Sequence, residues 1–199
     1  MKKNTKGERT RATIIAAAHG LFITQGYNAT SMRQIAQAAG IAPGGIYNHF
    51  SGKEAIFEAV FLENHPYREM LPALENAQGD TVEDFVRSAA GLLLDFIRQK
   101  PGFLNLWFIE IVEFNSAHAL EVLNESMPRG LRIVQNLQSF DQQLRSIPPQ
   151  MLIRAFISLF FSYFLTESMF GKAAPAEFTA DAMEYHIEIF LHGILKQKK

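Results

Sequence analysis

The chain contains no cysteine in its 199 residues. Disulfide staples and thiolate metal sites are therefore excluded. Charged residues make up only 20%, and they nearly cancel to a net charge of -1, so bulk charge names no partner. No alternating apolar–polar run marks a strand, and there is no internal repeat or low-complexity segment. The sequence has no Gly-x-Ser-x-Gly elbow, no Walker loop and no dinucleotide fingerprint. With no acid–base or nucleophile constellation, no catalytic residue, cofactor or metal is expected. Glu184, Glu188 and His192 share one helical face, but that face reads as solvated or interfacial rather than as a metal site. The apolar run MLIRAFISLFFSYFL (151–165) contains Arg154 and falls short of the roughly 20 residues that span a bilayer, so it reads as a buried helix. The opening MKKNTKGERTRATIIAAAHG imitates a secretory leader, but His19 interrupts its short apolar run. Ile14 or Ile15, Ala18, Leu21 and Phe22 recur there at helical spacing. The expectation is a cytoplasmic protein with no membrane partner.

The hydrophobic content, 48%, is enough for a real core. The small net charge hides a split. Residues 1–53 hold Lys2, Lys3, Lys6, Arg9, Arg11, Arg33 and Lys53 against Glu8 alone, and the acidic excess lies in 54–199. Such a partition suggests a basic module that meets a polyanion, although a loose basic tail would supply much of the same excess. Aromatic content is split as well, with only Phe22 and Phe50 of the 17 phenylalanines before residue 54.

Helical periodicity runs almost throughout, which predicts an all-α chain. The first helix spans about 9–25. Thr30 is a candidate N-cap for a second at 31–39, and Gly40 ends that helix. Pro43 opens a short third helix reaching His49. Ser51 and Glu54 form a capping-box pattern for the fourth, which runs to His65 before Pro66. Longer helices follow at about 82–99, 103–115, 117–140 (bent near Pro128), 149–171 and 180–196. Two short helices separated by a glycine turn make a helix-turn-helix, which presents the start of its second helix to a major groove.

The run TSMRQIAQAAGIAPGGIYNHFSGKEAIFEAV (30–60) resembles the DNA-binding signature of the tetracycline-repressor (TetR) family. The resemblance rests on Thr30, Ile35-Ala36, Ala39-Gly40, Gly44, Ile46-Tyr47, His49-Phe50, Lys53-Glu54 and Ala55, and covers about residues 9–60. It implies a three-helix DNA-binding module in 1–53, ordered from about residue 9, joined through a continuous helix to a helical effector-binding and dimerisation domain in 54–199. It implies phosphate contacts from Thr30, Tyr47, His49 and Lys53, and approach to bases by Arg33, Ala42, Pro43, Gly44, Gly45 and Asn48. Ala42 and Gly45 depart from the hydroxyl-bearing residues common there, so base reading is expected to be thin, with Arg33 as one polar reader.

In the aromatic half, Phe103, Trp107, Ile111 and Phe114 are expected on one helical face with Glu110 at its edge, a grouping that could serve a cationic ligand or simply be core. Together with Phe61, Phe96, Phe160, Tyr163 and Phe164 they are the candidate pocket for a small, apolar or aromatic effector. Phe156, Met183, Ile187, Phe190, Leu191 and Ile194 are the candidate homodimer interface. The function implied is a ligand-responsive regulator, a repressor released from a palindromic operator in double-stranded DNA. A DNA-binding architectural protein without an effector is the alternative.

Overall fold

The structure, a computed structural model, describes residues 5–76, 80–100, 102–138, 144–170 and 173–195. Lys2, Lys3, Pro101, Phe140, Gly171 and Lys196, which the sequence reading uses for the basic tail and for helix ends, lie outside these. The described residues are all-α and hold no strand; Leu144 and Leu195 make an isolated antiparallel bridge.

Helix α1 (Lys6–Gln25) opens on a capping box in which the Thr5 hydroxyl accepts from Glu8 N at 3.2 Å and Glu8 accepts from Thr5 N at 2.6 Å. It buries Ile14, Ile15, Ala18 and Phe22, close to the stripe that its periodicity predicts. Helix α2 (Met32–Ala38) is capped by Ser31 and Gln34, not by Thr30. It ends in a Schellman turn: Gly40 adopts φ 69°, its N–H reaches Gln37 O at 3.1 Å, and Ile41 N reaches Ala36 O at 3.0 Å. The expected third helix is only a 3-10 helix, Gly45–Asn48. One turn rich in glycine closes i to i+3 bonds, such as His49 N to Ile46 O at 3.0 Å, and is too short to propagate an α-helix. Helix α3 (Lys53–Asn64) starts from Gly52 with no side-chain cap, so the Ser51–Glu54 box does not form.

Pro66 ends α3 by forcing His65 into an extended conformation (φ -69°, ψ 128°). The helix expected to carry the chain past residue 53 therefore runs unbroken and stops before Pro66, as the sequence reading has it. A helix that the sequence reading passes over, α4 (Tyr67–Glu75), follows it and contains Pro72. Then come α5 (Val82–Arg98), α6 (Phe103–Phe114), α7 (Ala119–Gln138), α8 (Pro149–Phe170), the short α9 (Ala176–Thr179) and α10 (Ala182–Ile194). Helix α7 runs through Pro128 as one element.

The chain forms two compact units, Met1–His65 with Lys100–Val122, and Pro66–Gln99 with Leu123–Lys199. In the first, α3 and α6 pack with the N-terminal helices instead of parting from them at residue 53. Phe57 is fully buried at its centre, with ring centroids 5.7 Å from Phe22, 5.6 Å from Tyr27 and 4.7 Å from Phe114. At the start of α6, Gly102 has φ 84°, and a Cβ there would lie 2.2 Å from Ile23 Cδ1. In the second unit, α10 packs on α8 and α5, and α4 on α5. Arg87 of α5 clamps Glu184 and Glu188 of α10 at 2.5 and 2.8 Å as well as its own helix's Glu83. Glu75 of α4 holds Arg129 and Arg132 of α7.

His65 sits among the rings of Phe61, Phe103 and Trp107, with centroids 5.6–5.7 Å away. Burial lowers its imidazole from 6.5 to about 4. Between these values the unfolded chain binds a proton that the folded chain refuses. Stability from this site is thus complete above pH 6.5 and declines towards pH 4, by on the order of 3 kcal/mol. Urea midpoints measured at pH 7 and pH 5 should fall less in H65F than in the wild type. An equal fall in both would show that the acid loss arises elsewhere.

Candidate nucleic-acid interface

The 3-10 helix is held from behind. Ile46 is fully buried and Phe50 nearly so, while Ala42, Pro43, Gly44 and Asn48 are exposed and Tyr47 is 59% exposed. Gly45 and His49 are half-buried. A Cβ placed on Gly44 or Gly45 would meet nothing within 4 Å, and Gly44 has an ordinary φ of -73°. Nothing within the chain requires glycine at either position. The open space on their outer side suits close approach by a partner's backbone or base edge.

Cations flank this surface unequally. Arg33 of α2 is exposed, and among the described residues no hydrogen bond or ion pair engages the side chain of Lys6, Arg9 or Arg33. Lys6 and Arg9 line an open cleft of about 440 Å³ with Thr10, Thr13, Ala39 and Ile41, set against the turn that leads into Pro43. The sequence reading counts Lys6 and Arg9 only as tail charge. Their spacing on one face of α1 with Thr10 and Thr13 is the signal that could have singled them out. Arg11 is engaged inside the unit, 2.8 Å from Glu63 and 4.9 Å from the centre of the Phe50 ring. Lys53 is half-buried at the start of α3. Its Nζ donates to Tyr27 O at 2.8 Å and lies 4.1 Å from the Tyr27 ring centre. Burial lowers its ammonium, against an opposing pull from Glu113.

Thr30 needs correcting. It is 2% exposed, donates to Gly26 O at 2.8 Å and accepts from Gln25 Nε2 at 3.1 Å. Its hydroxyl fastens the end of α1 to the start of α2 and does not face a phosphate. Its neighbour Ser31 takes the capping role.

The candidate effector residues divide between the units. Phe61, Phe103, Trp107 and Phe114 join the aromatic core of the first. Ile111 is 48% exposed and so leaves the face predicted for it. Glu110 is not at a solvent edge but fully buried. It accepts from His118 N at 2.7 Å and Ala119 N at 3.1 Å and bonds His118 Nδ1 at 2.8 Å, capping α7. With its acceptors so engaged, it is not a free receptor for a cation. Phe96, Phe160, Tyr163 and Phe164 lie in the second unit, where Phe160 is fully buried and Tyr163 packs on His186.

The dimer stripe also needs correcting. Ile187, Phe190, Leu191 and Ile194 are buried within the chain, with Phe190 against Phe156 and Phe160, and Phe156 and Met183 are half-buried. The residues left outside are Met151, Ile157, Met169 and Phe170 of α8 and Tyr185 and Ile189 of α10. Helix α8 is thus not enclosed as its composition suggests. Its 22 residues are long and apolar enough to cross a bilayer by length and composition, but it lies against α10.

A family profile described as bacterial regulatory proteins, tetR family, matches residues 14–60. Over 60 residues the chain is 37% identical to the HTH-type transcriptional regulator UidR of Escherichia coli. That stretch is 30% of this chain and 31% of UidR, so the chain spans less than a third of that relative. It is 29% identical over 149 residues to the nucleoid occlusion factor SlmA of Vibrio vulnificus, covering 74% of this chain and 70% of SlmA. Its fold is similar to that of NalD, the secondary repressor of the MexAB-OprM multidrug efflux pump in Pseudomonas aeruginosa. The TM-score is 0.67 at 23% identity, with 97% of this chain and 100% of NalD covered.

Thr30→Val keeps the volume of the side chain and removes its hydroxyl. It should cost about 1–3 kcal/mol in urea unfolding, because Gly26 O and Gln25 lose a buried partner. Unchanged stability would return Thr30 to the solvent side of the interface.

Proposed function

We propose that the chain, whose residues 14–60 match the TetR-family profile, is a dimeric transcriptional regulator of that family, not an enzyme, that reads double-stranded operator DNA. The carrying observation is the outward surface from Ala42 to Asn48, with two glycines that the fold does not need. Arg33 beside it and Lys6 and Arg9 in the adjoining cleft supply cations whose side chains have no partner among the described residues. In this reading Pro43, Gly44 and Gly45 enter the major groove, Tyr47, His49 and Lys53 meet phosphates, and Arg33 reads a base edge. Lys6 and Arg9 hold a flanking phosphate.

The second copy covers the apolar residues that α8 and α10 leave in water, and a two-fold dimer calls for a roughly palindromic operator. The function is repression, relieved when a small, largely apolar effector binds among the helices of the effector-binding half and shifts the dimer to a state that holds DNA less well. The protein acts in the cytoplasm. NalD's description as a repressor supports this sense of regulation by likeness of fold. A second reading is DNA binding that no effector releases; it is suggested by the likeness over most of the chain to SlmA, which is named a nucleoid occlusion factor and not a transcriptional regulator.

Selection of binding sites from a random duplex library separates these readings from a non-reader. An enriched palindrome is expected, and R33A should relax preference at a single position by about 1–3 kcal/mol while K53A weakens all sequences alike. Retention without enrichment would mean attraction by charge alone. Survival of the selected complex through a screen of apolar and aromatic compounds would favour the effector-independent reading.

A further inference from the structure

Tyr27 and Asn28, in the loop between α1 and α2, are gripped from two sides within the first unit. Lys53 donates to the Tyr27 carbonyl from one side. From the other, Phe114 of α6 packs edge-on against the Tyr27 ring with centroids 5.0 Å apart, and Asn28 Nδ2 donates to Glu113 Oε1 at 2.8 Å. Glu113 is exposed and Lys53 half-buried. Helix α6 thus fastens a carboxylate to the same two-residue stretch that holds the cation opening α3. The charge of Glu113 reaches both partners: it counters the lowering of the Lys53 ammonium by burial and adds to the rise that burial causes in the Tyr27 phenol.

We propose that Glu113 is an internal competitor for the nucleic-acid phosphate at Lys53, a fixed charge on α6 that holds down the affinity of the interface for any duplex. The inference rests on the DNA-binding reading and adds a residue that lies outside the helix-turn-helix. A phosphate arriving at the start of α3 draws on the helix end and on the Lys53 ammonium, whose charge Glu113, held by Asn28, already attracts. Because the charge of Glu113 already offsets part of the field of Lys53, a phosphate bound there releases less counterion than one bound at a bare lysine. The effect carries no sequence information, since it acts on the backbone alone.

Glu113→Gln isolates the charge, because the amide oxygen still accepts from Asn28 and the shape is kept. Binding of the full chain to a mixed-sequence DNA duplex is followed by fluorescence anisotropy across a sodium chloride series. E113Q should bind about three- to tenfold more tightly at low salt, with the salt slope steeper by up to about 1. The gain should fade at high salt as the charges are screened. It should also vanish in a K53A background, which a purely structural role for Glu113 would not produce. Wild-type affinity and slope in E113Q, or a gain that persists without Lys53, overturns the proposal while leaving the DNA-binding reading intact. Failure of the wild type itself to bind the duplex at low salt overturns that reading, and the competitor role with it.

Discussion

The packing of rings around Phe57 is the constraint on which the rest of the first unit depends. Phe57 belongs to α3, Phe22 to α1, Tyr27 to the loop after α1, and Phe114 to α6. Each tilted or stacked pair adds about 0.5–1.5 kcal/mol beyond the area it buries, so the cluster fixes four pieces of chain at once. The 3-10 helix that faces outward has no stability of its own to contribute. It takes its position from Ile46 and Phe50, which are buried beneath it, and an outward surface can therefore be made of residues that would not hold a helix unaided.

The second unit is organised by different physics. Its helices are cross-linked by ion pairs at their edges, Arg87 with Glu184 and Glu188, and Glu75 with Arg129 and Arg132. These pairs are partly exposed and individually weak, so they orient helices more than they stabilise them. The apolar contribution comes from residues such as Phe160, Phe190 and Leu191. That interior leaves one side of α8 uncovered, with Met151, Ile157, Met169 and Phe170 exposed.

The helices were legible where capping and turn chemistry agreed with periodicity. The Gly40 stop, the stripe of α1, and the start of α6 after the Pro-Gly pair could all be read from local sequence. What failed were choices between neighbours of similar chemistry. Thr30 and Ser31 both suit an N-cap, and only the packing decides that Thr30 turns inward to Gly26 O. Helix α4 escaped because Pro66 and Pro72 read as breakers, although Pro66 suits a helix start and Pro72 costs α4 one hydrogen bond near its end. The stripe of α10 was correctly seen as apolar, but periodicity cannot say whether an apolar face meets its own chain or another. Glu110 shows the same limit. A carboxylate on an aromatic helix looks like a ligand group until the fold brings the first N–H groups of α7 to it.

Gly102 and the Gly44–Gly45 pair are the same residue type in opposite surroundings. At Gly102 a left-handed backbone, and an Ile23 side chain that would have to move from a Cβ 2.2 Å away, make any other residue strained. At Gly44 and Gly45 the chain would accept a methyl group without contact. Mutational tolerance at these positions therefore divides by what is selected. A library sorted for soluble, folded chains would be depleted at 102 and populated at 44 and 45, and on the proposed DNA-binding function one sorted for operator binding would be depleted at all three. Sites that fall silent in the first sort and speak in the second would mark out the working surface from variation alone.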